Sequence, residues 1–125
     1  MTNPSNRFLD LTQGVTARLA TLRSGAPDVM KSFGSLGRAA MADGALSAKT
    51  KELMALALGV AARCDPCIGY HVQTLVKLGM TRQELDETLG VAAYMGGGQS
   101  LMYAANAIAA FDEFSAAAPQ GRKPA

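Results

Sequence analysis

The sequence predicts an all-α protein of about six helices, and three observations carry that prediction. Apolar residues recur three and four positions apart along nearly the whole chain, which is the period of one helical face. No segment alternates apolar and polar residues convincingly enough to read as a strand. Start and stop signals punctuate the pattern at intervals that suit helices of ordinary length.

The amphipathic stretch from Phe8 to Leu22 supplies the first helix, which leads through Ser24-Gly25 into a second. Pro27 opens that second helix, because a proline in the first turn removes an amide that has no helical partner anyway. It should end near Asp43-Gly44. Ser47 can cap a third helix that runs to about Ala62, with Leu53, Leu56, Ala57 and Val60 on one apolar stripe. The fourth begins at Cys64-Asp65-Pro66-Cys67 and runs to Gly79, a residue suited to a left-handed C-terminal cap.

Thr81-Arg82-Gln83-Glu84 reads as a capping box, with the threonine hydroxyl and the glutamate carboxylate each covering a free amide, and it opens a fifth helix to about Met95. Gly96-Gly97-Gly98 interrupts, and a last helix runs from about Gln99 to Phe114. The glycine run lacks the lysine and the preceding strand of a phosphate-binding loop, so a tight turn with close packing is the expectation. Tyr94, Met95, Met102 and Tyr103 are expected in the core or at subunit contacts. Residues 116–125, rich in alanine, proline, glycine and basic side chains, are expected to form a flexible tail.

At 125 residues, 49% of them hydrophobic and 18% charged, the chain is expected to form one domain over 1–125. Its net charge of +2 comes from 12 basic and 10 acidic residues scattered along the sequence. With no basic stripe to follow a phosphate backbone, nucleic acid is not an expected partner. No apolar run approaches the roughly 20 residues that span a bilayer, and the first residues have no basic start and apolar centre of a secretory signal. A cytoplasmic protein without membrane partners is the expectation.

Both cysteines of the chain lie within four positions of each other. So short a loop cannot act as a fold-bridging staple, which points to chemistry or metal binding. At a helix start, free amides and the helix dipole favour thiolate over thiol. Pro66 fits the first turn without losing a helical bond, whereas the negative charge of Asp65 disfavours a thiolate. His71, the only histidine, lies four residues after Cys67 and so on the same helical face, where imidazole can take the thiol proton or, once charged, stabilise the thiolate.

Glu52 is twelve positions before Cys64, roughly 18 Å along a straight helix, too far for contact. If the third and fourth helices fold back as a hairpin near Arg63, however, Glu52 lies across from the stretch holding His71 and Leu75. A relay from Glu52 through His71 or water to Cys67 then becomes geometrically possible. On the residues alone three uses of the pair remain open: a redox dithiol, a zinc site in which Cys64, Cys67 and His71 are joined by Glu52 or a symmetry mate, and two inert core cysteines.

The spacing Glu52, eleven residues, Cys64-x-x-Cys67, three residues, His71 resembles the active-site signature of the alkylhydroperoxidase AhpD-like group within the carboxymuconolactone decarboxylase family. The surrounding segments KTKELMALALGVAARC and GMTRQELDETLGVAAYMGGGQSLMYAANAIAAF follow the family core in order, over roughly Val29 to Phe114. The resemblance implies a fold of packed helical hairpins that assembles as a homotrimer or as a hexamer built from two trimers. It implies a thiol peroxidase, an oxidoreductase needing no cofactor. In such an enzyme Cys67 attacks the hydroperoxide and becomes a sulfenic acid, and Cys64 resolves it to a disulfide. Glu52 and His71 would relay protons. A dithiol partner, in the better-known members a lipoyl group on a dehydrogenase component, would reduce the disulfide. Those members carry a histidine between the cysteines where Pro66 stands here, a change expected to act on potential and peroxide rate. The lactone decarboxylation that names the wider family is the other enzymatic reading, and it does not need a dithiol.

Overall fold

A computed structural model describes residues 6–118. Six helices follow one another without a strand among the described residues: α1 (Arg7–Gly25), α2 (Pro27–Met41), α3 (Ala48–Ala61), α4 (Asp65–Lys77), α5 (Arg82–Gly96) and α6 (Gly98–Ala117). The fold class is therefore all-α, as the periodicity predicts. The helix α6 carries two residues into the stretch expected to be a tail, and the rest of that expectation, residues 119–125, lies outside the described residues.

The local signals form as their chemistry requires. Ser47 Oγ accepts from the Thr50 amide at the start of α3. Thr81 and Glu84 make both halves of a capping box at the start of α5. The start of α1 is held differently, because Asn6 makes no side-chain cap. Instead Glu113, from the far end of the chain, accepts from the Phe8 and Leu9 amides at 2.9 and 2.8 Å. One carboxylate thus satisfies two free donors and pins α1 to α6.

The core is built around α4, whose Ile68, Val72 and Leu75 are fully buried among Phe8, Leu56, Val60, Leu85 and Ala107. Helices α1, α3 and α6 surround it. Gly69 lets α1 come close, since a Cβ there would lie 2.7 Å from Thr12 Cγ2. In contrast, α2 contributes no buried residue, and its Val29, Phe33 and Leu36 are exposed at 67, 70 and 62%. Tyr94, Met95 and Met102 are likewise exposed, at 85, 76 and 67%, so within one chain they do not form core as expected. The helical period near the Gly96-Gly97-Gly98 turn turns these three side chains outward, and only Tyr103 packs against the core.

Candidate functional site

The site is assembled by the α3–α4 hairpin, and Arg63 makes its turn. The Arg63 backbone lies in the left-handed region with φ +57°, a conformation that costs a residue with a side chain about 1–2 kcal/mol. Its amide donates to Val60 and the Cys64 amide to Gly59, which closes α3 in a Schellman motif. The same motif ends α4, where Gly79 has φ +83° and Met80 donates to Leu75. Glycine serves the second turn without strain, and an arginine serves the first.

Cys64 is the N-cap of α4 and Cys67 lies in its first turn, where the two sulfurs form a disulfide. The Cys67 amide donates to Cys64 Sγ at 3.3 Å, so sulfur fills the place that a serine or aspartate oxygen takes in most caps. Pro66 has no amide, which leaves Cys67 to serve this acceptor. The pair is half-buried. Gly59 permits the close approach behind it, since a Cβ there would stand 3.2 Å from Cys67 Cβ.

One turn further along α4, His71 Nδ1 and Glu52 Oε1 are 2.7 Å apart, with the two side chains 30 and 15% exposed. Folding back at Arg63 brings Glu52 across from His71, which a straight helix forbids. In the tautomer that carries its proton on Nδ1, the ring donates to Glu52 Oε1 and leaves Nε2 as the nitrogen without a proton. His71 itself is held on the cysteine face of α4 by the four-residue spacing from Cys67.

Asp65, between the cysteines, faces a second set of partners that the sequence did not reveal. Asn106 Nδ2 on α6 donates to its Oδ1 at 3.0 Å, and Arg7 Nη2 on α1 lies 4.0 Å from its Oδ2. Arg7 Nη1 also reaches Asn106 Oδ1 at 3.5 Å. Neither Arg7 nor Asn106 has a spacing relation to the cysteines, so no local pattern could have found them. Gly59 did carry a signal, since a glycine within an apolar helical run costs about 1 kcal/mol against alanine and so marks a packing need. Among the described residues, no group of three or more His, Cys, Asp and Glu side chains is placed to hold a metal ion. Nor is any described helix long and apolar enough to cross a membrane.

An all-α chain presenting an oxidised Cys-x-x-Cys pair at a helix start beside a bonded Glu-His couple defines the class of protein. The sequence profile of the carboxymuconolactone decarboxylase family matches residues 27–110, and the chain belongs to that family, which includes enzymes. A crystal structure of an apo carboxymuconolactone decarboxylase family protein from Legionella pneumophila is 58% identical, covering 88% of this chain and 98% of that one, with a TM-score of 0.86. A family member from Thermotoga maritima, suggested to act in the antioxidative response, is 31% identical with a TM-score of 0.74, over 82% of this chain and 87% of that one. An uncharacterized protein of Cupriavidus necator is 37% identical over 82% of this chain and 90% of its own length.

Proposed function

We propose that this protein is a dithiol-dependent antioxidant oxidoreductase that reduces hydroperoxides through Cys67 and Cys64. The observation that carries the reading is the bonded Glu52–His71 couple one helical turn from a cysteine pair already joined as a disulfide. In the reduced protein His71 takes the Cys67 proton, with Glu52 holding the ring and stabilising its positive charge. The Cys67 thiolate attacks the distal peroxide oxygen and the O–O bond breaks, giving a sulfenic acid, while the leaving oxygen takes the proton held by His71 and departs as an alcohol or water. The Cys64 thiol then gives its proton to the relay and displaces the hydroxide, which leaves as water with that proton, and the disulfide forms. A dithiol reductant, such as a lipoyl-bearing protein, returns the pair to thiols and is itself oxidised to a disulfide.

The Thermotoga relative's suggested antioxidative role agrees with this assignment. The exposed apolar stripe Val29, Phe33 and Leu36 on α2, with Tyr94, Met95 and Met102 near the α5–α6 turn, supports assembly as a homotrimer or hexamer. The cytoplasm, where dithiol reductants are plentiful, is the compartment this chemistry suits. The test is hydroperoxide consumption in the presence of a dithiol, comparing the native protein with Cys67→Ser. Loss of turnover in the variant is expected, and equal rates would reject the reading.

A further inference from the structure

Asp65 sits in the first turn of α4 between the two cysteines, where its charge disfavours any thiolate formed on either side. Its carboxylate is not left to solvent. Asn106 of α6 donates to one oxygen and the Arg7 guanidinium of α1 stands near the other, while Arg7 also contacts Asn106. Two helices, α1 and α6, therefore converge on the one acidic residue inside the disulfide ring. The clamp that Glu113 places on Phe8 and Leu9 fixes the start of α1, and with it the residue next to Arg7.

We propose that Asp65, Asn106 and Arg7 form a charge-balancing set that tunes thiolate stability, and hence the reduction potential, of the Cys64–Cys67 pair. The inference rests on the redox reading of that pair. Asp65 raises the free energy of the thiolate and so holds the pair toward the disulfide, and Arg7 offsets part of that effect. Asn106 keeps the carboxylate turned toward Arg7. These three are positioning residues, since the reacting atoms belong to the cysteines, His71 and the peroxide. Other ionisable groups set close to the pair by the hairpin include Glu52 on α3, bonded to His71 on α4, and Arg63 in the turn before Cys64. None of these is altered by the changes below.

The full-length protein is equilibrated with reduced and oxidised dithiothreitol near about pH 8.5, where an ordinary thiol is half ionised. The dithiol gives up two electrons and two protons to the Cys64–Cys67 disulfide and closes its own ring. Asp65→Asn keeps an oxygen that can accept from Asn106 but removes the charge. The expected result is a shift of the equilibrium constant toward reduced protein by about three- to tenfold, with faster alkylation of the thiols. Arg7→Gln is expected to move both readouts the opposite way by a smaller factor, since its side chain is half exposed, and Arg7→Lys to restore them.

Opposite movement by the two variants is the signature of charge. No shift in either, or movement in the same direction, would overturn the proposal, because a merely structural network has no reason to respond with opposite signs. Failure of the peroxidase reading is separate: hydroperoxide turnover can be absent while the potential still moves with Asp65. Conversely, turnover can be present with a potential that ignores it.

Discussion

Glu52 and His71, nineteen residues apart in sequence, share a 2.7 Å hydrogen bond across the α3–α4 hairpin. In the proposed reaction this bond fixes which ring nitrogen faces the reacting atoms and leaves the carboxylate to steady an imidazolium. Glu52→Gln retains a side chain of the same shape and loses the charge. We expect hydroperoxide turnover with a dithiol reductant to fall about 100-fold, with the thermal midpoint little changed. A variant that turns over at the native rate would remove Glu52 from the relay.

Arg63 adopts a left-handed backbone at the hairpin turn, where Gly79 does the same at the other end of α4. Arg63→Gly removes the side-chain penalty but frees the unfolded chain, so a net gain of about 0.5–1 kcal/mol is expected. Urea unfolding of both proteins measures it. A loss of stability would show that the arginine side chain makes a contribution larger than its backbone strain.

Gly59 lies against the disulfide, and the nearest atom to an added methyl is Cys67 Cβ at 3.2 Å. That atom cannot easily retreat, because Cys67 is tied both to α4 and to Cys64. Although alanine is the better helix former by about 1 kcal/mol, Gly59→Ala is expected to be neutral or destabilising by up to about 2 kcal/mol. The reoxidation rate of the reduced pair should change with it. A gain equal to the full helix propensity, with unaltered reoxidation, would mean that the two helices separate freely.

The capping box of α5 gives a pH dependence away from the site. The Thr81 backbone amide, followed by Lys49, holds the Glu84 carboxyl below its ordinary value of 4.5. Its charged form is bound more tightly in the folded protein than in the unfolded one. This contribution is therefore fully present above about pH 4.5 and is lost as pH falls through the lowered folded value. Glu84→Gln should lower the thermal midpoint slightly at neutral pH, and the two proteins should converge in acid. A gap that widens in acid would reverse the sign.

Helix identity was readable because it depends on near neighbours. The Ser47 cap, the Thr81–Glu84 box and the Gly79 turn each involve residues within a few positions, and each forms as its local chemistry dictates. The Glu52–His71 meeting was legible as a geometric possibility, because a hairpin near Arg63 is all that it needs. Contacts joining distant parts of the chain were not. Glu113 reaching Phe8 and Asn106 reaching Asp65 span 105 and 41 residues, and nothing in the sequence near either partner encodes the other. The outward turn of Tyr94, Met95 and Met102 escaped for a different reason. Apolar composition marks a side chain for burial, but it does not distinguish burial within one chain from burial against a second.

The turn at Arg63 also bears on how the site comes into being. Because Glu52, Cys64, Cys67 and His71 all belong to one helical hairpin, the loop that must close to bring them together is short, and its entropic cost is correspondingly small. Local contacts of this kind form early on a folding pathway. The distant clamp between Glu113 and α1 has a much longer loop to close. The two arms of the hairpin can therefore meet, and its two thiols can find each other, before the ends of the chain have docked. On this basis oxidation during synthesis would join the intended partners, since the chain contains no third cysteine to compete.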